Sequence, residues 1–260
     1  MALGLVSADD GRGGHLIPFF GSGLRVLAAA AESEAGITGW TLAGSAELDD
    51  DHRVDGLSTS VVDGVGPVFA DHPLGAVGLD HVVVSTDDLE RTTGAITAAT
   101  GAPLKRIREL GSIRQGFHRV GPAGLIVEVV EHADSPPGPA SFWGVVINVD
   151  DLDAACELIG PDLIGQPKDA VQPGRRIATI RRDAGLGTAV ALMPPCGAVS
   201  GSGTGHQGRR QTPRRAVSSW SRNQSYVDLM PASSSIDGCH PSPLSFDTSS
   251  TLRGMPSGLE

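Results

Sequence analysis

The feature that most constrains this fold is an internal repeat at an offset of 63 residues. A first copy starting near Leu79 aligns without a gap with a second copy starting near Phe142. The matching segments include Val82-Val83 with Val145-Val146 and Asp87-Asp88-Leu89 with Asp150-Asp151-Leu152. Two copies of about fifty residues are too few for a solenoid, so the repeat predicts two similar modules joined into one domain.

Each copy predicts the element order β-α-β-β-β. In the first copy, the valine-rich run Leu79–Ser85 is typical of a strand, and Asp87-x-x-Glu90 resembles a capping box that begins a helix ending near Gly101. The next three predicted strands are Leu104–Leu110, Ile113–Val120 and Leu125–Glu131. The second copy predicts strands at Phe142–Val149, Arg176–Arg182 and Thr188–Met193, a helix capped by Asp150, and a weak strand near 164–171 that Pro167 interrupts.

Three regions of the chain differ in composition. Residues 1–76 form an N-terminal extension that we predict to be partly strand-forming, with a partial module as an alternative. Residues 77–193 hold the repeat, as modules 77–133 and 141–193. Residues 194–260 are rich in serine and arginine and have no apolar period, which predicts a disordered tail. The abrupt change near Pro194 also raises the hypothesis of a shifted reading frame.

Composition excludes several classes of function. An apolar fraction of 40% can supply a core, whereas a net charge of −10 argues against a nucleic-acid partner. The three cysteines are far apart, which predicts neither a disulfide framework nor a zinc ribbon. Because no signal peptide or bilayer-spanning run of about 20 apolar residues is present, we expect a cytoplasmic protein with no membrane partner.

The paired modules also carry a family resemblance. The segments "LDHVVVSTDDLERT", "RQGFHRVGPAGLIVEVVE" and "FWGVVINVDDLDAA" resemble the vicinal oxygen chelate (VOC) superfamily, which includes glyoxalases, bleomycin-resistance proteins and extradiol dioxygenases. The resemblance covers residues 77–193 and is closest to glyoxalase-like proteins of unassigned activity. It implies an α+β fold in which paired βαβββ modules form a cupped mixed sheet, with metal ligands on the first and last strands of each module.

The 63-residue offset locates the ligand positions that the resemblance implies. His81 and Glu128 take these positions in the first module and are the candidate catalytic and metal-binding residues. Their counterparts, Gly144 and Ala191, have no ligating side chain, so the metal set is degenerate and we expect no cofactor or a weakly held divalent metal. Within hydrogen-bond reach, His81 and Glu128 would form a general acid–base pair.

Strand alternation adds candidate ligand-binding residues. Ser85 and Asn148 supply oxygens at inward positions, and either Phe117 or His118 lines the cup because neighbours on a strand face opposite ways. Arg119 belongs to an arginine group that offers an anion site, although a solvated strand face is favoured.

These residues leave three functions open. The leading hypothesis is a glyoxalase-like protein that binds an unknown small molecule in a cup between the modules. The alternatives are a metal-dependent lyase or dioxygenase of the VOC superfamily and a drug-sequestering protein like those of bleomycin resistance. A homodimer is compatible with each of them.

Overall fold

The computed structural model describes residues 3–28, 35–44, 48, 50–62, 70–121, 124–195 and the backbone of 225–230. Strands dominate, and the two α-helices follow the first strand of each module. The elements are β1 (Ala8–Asp9), β2 (Gly14–Phe19), β3 (Ser22–Leu27), β4 (Gly36–Ala43), β5 (Arg53–Val54), β6 (Leu57–Val62), β7 (Ala76–Thr86), α1 (Leu89–Thr100), β8 (Arg106–Leu110), β9 (Ile113–Val120), β10 (Leu125–His132), β11 (Ser141–Val149), α2 (Leu152–Ile159), β12 (Lys168–Asp169), β13 (Arg176–Thr179), β14 (Ala189–Met193) and β15 (Ser225–Met230).

The repeat forms one eight-stranded mixed sheet, in the order β12-β13-β14-β11-β7-β10-β9-β8. The first strands of the two modules, β7 and β11, pair antiparallel at its centre. In each module the last strand lies parallel to the first, as β10 with β7 and β14 with β11. This strand order confirms the α+β fold of paired βαβββ modules.

Both helices begin one residue later than the sequence pattern predicts. The N-cap of α1 is Asp88, whose side chain accepts a hydrogen bond from the Arg91 backbone N–H. Asp87 instead forms an ion pair with the Arg91 side chain at 2.6 Å. Asp151 caps α2 in the same way, by accepting from Asp153 and Ala154. The second aspartate of each pair caps because its backbone is extended where the helix begins.

Turn glycines at matching positions hold the same backbone in both modules. Gly124 and its counterpart Gly187 both have φ of +69°. Gly111 and its counterpart Gly174 have φ of +62° and +75°. These left-handed conformations favour glycine because a Cβ atom would clash there, so the repeat preserves turn geometry.

A second, seven-stranded sheet forms from the N-terminal extension, in the order β1-β2-β3-β15-β4-β6-β5. It covers the face of the eight-stranded sheet that carries α1 and α2, here called the helix face. Trp40 of β4 is 1% exposed, bonds Thr59 through its indole N–H and packs edge-on against Phe142. The N-terminal extension is therefore part of the core rather than an appendage.

Strand β15 comes from the region that we predicted to be a disordered tail. It pairs parallel with β3 and antiparallel with β4, between them in the sheet. The remainder of that prediction falls on residues outside the described part of the chain.

Alternation along the central strands separates two faces of the eight-stranded sheet. Valines on the helix face, among them Val82, Val84 and Val145, are fully buried against the helices and the second sheet. The opposite face, here called the cup face, carries His81 and Glu128. Among the described residues, no helix is long and apolar enough to cross a membrane.

Candidate functional site

His81 lies on the cup face between two carboxylates. Its Nδ1 is 2.8 Å from Oδ1 of Asp80, and its Nε2 is 3.4 Å from Oε2 of Glu128. The His81 and Glu128 side chains are 11% and 14% exposed, so both are sheltered yet reachable. This imidazole can pass a proton toward either carboxylate, which is the arrangement of a general acid–base group.

A β-bulge brings Asp80 to the same face as its neighbour His81. Across the β7–β11 pair, Val146 is opposite His81 but Ile147 is opposite Leu79, so Asp80 is an extra residue in β7. Such an insertion breaks strict alternation and redirects a side chain.

Arg175 binds the other side of Asp80. Its Nη2 and Nη1 donate to Oδ2 and Oδ1 of Asp80 at 2.6 and 3.2 Å, a two-pronged contact. It also donates to Gln172 at 2.6 Å and to Asn148 at 3.3 Å. Because Arg175 immediately precedes β13, this ion pair fastens the β12–β13 turn of the second module to the first strand of the first module.

The two carboxylates of the site have opposite pKa shifts. Burial acts to raise the pKa of Asp80, but hydrogen bonds from His81 and Arg175 outweigh it and lower the pKa to about 2. Burial raises the pKa of Glu128, while the positive charges of His81, Arg108 and Arg106 partly offset that rise. Gln115 donates to Oε1 of Glu128 at 2.6 Å. Asp80 is therefore the fixed anion, and Glu128 is the carboxyl more ready to hold a proton.

We call Asp80, His81, Gln115, Glu128 and Arg175 the His81 cluster. Sequence reasoning found two of its members and missed the other three. Gln115 had a readable signal, because it shares a strand face with Phe117, close to Glu128. Asp80 had none, because the bulge breaks the alternation from which faces are predicted. Arg175 reaches the cluster from 95 residues away along the chain, and no local pattern indicates that contact.

Of the other predicted site residues, Phe117 and Asn148 lie beside the cluster, whereas His118 and Ser85 do not. Phe117 is opposite Glu128 in the sheet and shares its face. His118 faces the other way, is 0% exposed and bonds the Ala102 carbonyl through Nδ1, so it belongs to the helix face. Asn148 accepts from Arg175. Ser85 is on the His81 face of β7 but four residues along, which is roughly 13 Å.

The second module fills its half of the cup face with apolar side chains. Val146, Ala191 and Met193 are at most 3% exposed and pack with Ala170 and Ile177. Ala191 is the counterpart of Glu128 by the repeat offset. At the positions that correspond by the repeat, the cup face therefore has ionisable side chains in the first module and none in the second.

The cluster does not match the ligand set of a metal ion. The two carboxylates lie on opposite sides of the His81 ring, and both oxygens of Asp80 are held by Arg175. In the described part of the chain, no three His, Cys, Asp or Glu side chains are grouped as metal ligands. Gly144 and Ala191 add no donor from the second module.

A separate cleft of about 300 Å³ lies away from the cluster, at the N-terminal end of β7, and Phe20 and Asp150 are among the residues that line it. His72 in its wall has both ring nitrogens bonded, Nδ1 to the Val6 N–H and Nε2 to the Pro18 carbonyl. We interpret His72 as a structural residue that holds the N-terminal segment to β2.

Comparisons with known proteins give matches only among solved structures. No protein-family model matches the chain. No curated protein matches it either. It is similar to methylmalonyl-CoA epimerase from Mycobacterium tuberculosis at 19% identity, over 49% of this chain and 93% of that one, with a TM-score of 0.41.

Two further similar structures come from other bacteria. One is a methylmalonyl-CoA epimerase variant from Streptomyces coelicolor, 15% identical over 46% of this chain and 97% of that one, with a TM-score of 0.38. The other is a hypothetical protein from Bacillus halodurans C-125, 14% identical over 45% and 92%, with a TM-score of 0.38. Such values carry no information about ligand or reaction. The observed strand order agrees by itself with the fold that the resemblance to the VOC superfamily implies.

Proposed function

We propose that this chain is a glyoxalase-like small-molecule-binding protein whose ligand lies against the His81–Glu128 pair, over the first module. The observation that carries this proposal is the buried imidazole between two carboxylates on the cup face. Taking such groups out of water is costly unless each is paired. A purely structural role would leave little reason for His81 and Glu128 to keep an exposed edge.

The surroundings of the pair support a ligand that is part polar and part apolar. Val83 and Val130 flank Glu128 on the cup face but are each only 2% exposed. The apolar surface that a ligand can reach there is the partly exposed ring of Phe117, opposite Glu128. Small-molecule sites are typically apolar surfaces with a few polar groups that fix orientation. Glu128 with a raised pKa can donate or accept a hydrogen bond, depending on its protonation.

The alternatives from the sequence depend on the same two residues. A metal-dependent lyase or dioxygenase would need further ligands, which the cluster does not offer. Elemental analysis of protein purified without chelator tests this alternative: stoichiometric divalent metal that is lost in Glu128→Ala would favour it. A sequestering protein would bind ligands without converting them, so mass spectrometry of each bound ligand after incubation distinguishes binding from turnover. A homodimer remains a prediction.

Thermal-shift screening tests the proposal directly. A ligand that binds only the folded chain raises the unfolding midpoint by an amount that grows with its affinity and concentration. We expect hits from a library of planar acids and glycopeptides to lose their shift in both His81→Ala and Glu128→Ala.

Matched control variants separate a lost site from general destabilisation. His15→Ala and Glu157→Ala remove the same side-chain types at exposed positions on the second sheet and on α2. Both controls should keep the full ligand-induced shift. Hits that bind His81→Ala and Glu128→Ala as tightly as the unaltered protein would disprove the proposal.

A further inference from the structure

Three arginines share the cup face with the His81 cluster. Arg106 is opposite Phe117, which is opposite Glu128, so the three side chains form one row across β8, β9 and β10. Arg108 is opposite Gln115 in the next row. Arg119 lies two residues from Phe117 on the same face of β9. The outer wall of the first module therefore presents guanidinium groups beside Glu128.

These arginines have no acidic partner in the part of the chain that the structure describes. Within the described residues, none of Arg106, Arg108 and Arg119 forms an ion pair, although the chain as a whole carries a net charge of −10. The contrast within β9 is direct, because Arg114 on the opposite face pairs with Glu90 and with Glu131. Arg114 on the helix face is therefore compensated, whereas Arg106, Arg108 and Arg119 on the cup face have no ion-pair partner among the described residues.

Aromatic packing holds one of these guanidinium groups in place. Arg106 lies over the Phe117 ring, with its Cζ atom 4.9 Å from the ring centroid. A guanidinium held on an aromatic face loses less freedom when it binds an oxyanion, and its planar donors match a carboxylate or phosphate. The positive charges of Arg106 and Arg108 both act on the carboxyl group of Glu128.

We propose that the ligand of the cup is an oxyanion, a carboxylate or phosphate ester, bound by Arg106 and Arg108 while its adjoining part lies against Glu128 and His81. This inference rests on the proposed function, because it assigns the charge of the ligand that the cup holds. The unpaired row of arginines and the Arg106–Phe117 contact carry it. Arg119, which is exposed on β9, extends the same positive surface.

Pairs of probes that differ in charge test the inference. Benzoate with benzamide, and phenyl phosphate with phenol, are titrated by NMR into the full-length chain. We expect each anion to bind roughly tenfold more tightly than its neutral counterpart, as one or two charge-assisted hydrogen bonds allow. High ionic strength should reduce that ratio because salt screens partly exposed charges.

One double variant and one control variant show which residues produce the difference in affinity between anion and neutral probe. In Arg106→Gln combined with Arg108→Gln, the anion and its neutral counterpart should bind equally. Arg176→Gln is the control, since it removes one positive charge from an arginine paired with Asp153, outside the cup face. The Arg176→Gln variant should keep the roughly tenfold preference for the anion over its neutral counterpart. Chemical-shift dispersion confirms that each variant is folded.

The outcomes separate this inference from the proposed function. Equal affinity for both members of a pair in the unaltered chain overturns the anion assignment, as does a ratio that survives in the double variant. If neutral probes still bind and His81→Ala abolishes that binding, the proposed function stands without the anion. Failure of every probe to bind in the millimolar range also overturns the inference, and the library screen with His81→Ala then decides the proposed function.

Discussion

The two modules have the same order of elements but different chemistry on the cup face. The repeat keeps the positive φ of the turn glycines at Gly124 and Gly187 and an aspartate at each helix start. At the positions of His81 and Glu128 in the first module, however, the repeat places Gly144 and Ala191 in the second. The first half holds partly exposed ionisable groups, and the second half is packed and apolar.

This difference indicates that the two modules have different roles. The second module supplies apolar packing and the Arg175 side chain, which crosses to the first module. Arg175 holds Asp80 in place, and Asp80 in turn holds the His81 ring. Under the proposed function, the first module supplies the groups that bind the ligand. Chemistry at a two-module site therefore need not be symmetric, even where the fold is.

The largest effect should come from breaking the contact between the halves. Arg175→Met leaves the buried Asp80 carboxylate without its cation, which should lower the free energy of unfolding by about 3–5 kcal/mol. Urea denaturation measures this loss. Adding Asp80→Asn removes the stranded charge and should recover much of the stability. If Arg175→Met costs nothing, Arg175 does not fasten the modules together.

A carboxylate placed in the second module tests how different the two halves are. Ala191→Glu should destabilise the chain by about 3 kcal/mol, because the position is fully buried among apolar groups. Glu128→Ala, the reciprocal change, should cost less because Glu128 is partly exposed. Equal unfolding midpoints for the two variants would contradict the proposed asymmetry.

Acid should remove the stabilisation that Asp80 provides. The pKa of Asp80 is about 2 in the folded chain and 3.8 as its ordinary value, so the unfolded chain binds the proton first. This stabilisation is complete above pH 3.8 and is lost as the pH falls toward about 2, by roughly 2 kcal/mol. Urea denaturation across this range should show a smaller loss in Asp80→Asn. An identical loss in both proteins would rule out Asp80 as the source.

The smallest expected effects are changes in stability when alanine replaces a glycine beside α1 or within it. A Cβ atom at Gly116 would lie 2.9 Å from Cγ2 of Thr93 on α1, so Gly116→Ala should cost about 1 kcal/mol. In the second module the register differs by one residue, so the helix-facing position of β13 is Ala178, whose side chain packs in the core with α2. Gly94→Ala, an exposed helix position with nothing within 4 Å, should instead stabilise by about 1 kcal/mol. Thermal unfolding measures both, and a stabilised Gly116→Ala would refute close packing of α1 on β9.

The sequence predicts the fold well because the repeat gives two independent copies of the same order of elements. Strand β9 has the predicted bounds, and β7, β10 and β11 differ from theirs by a few residues. Strand β13 ends at Thr179 rather than Arg182, because Arg182–Ala184 turn into a 3-10 helix. Periodicity carries this information, since core burial imposes it on every strand.

The site is only half predictable, for a physical reason. His81 and Glu128 follow from the repeat offset and from alternation. Asp80 depends on a bulge, and Arg175 depends on a turn that folds back across the sheet. Both are tertiary features without a local signature, so a single sequence does not reveal them. His118 shows the same limit, since alternation offered two faces and only the strand register assigned it to the helix face.

The most direct test of the central claim is methyl and imidazole NMR during titration with hits from the library screen. If the polar half of the cup binds the ligand, the His81 ring and the Val83 and Val130 methyl groups should shift together and saturate at one ligand per chain. Ala191 and Met193 should shift less, and Glu128→Ala should abolish the response. Largest shifts at Ala191 and Met193, or full binding in Glu128→Ala, would contradict it.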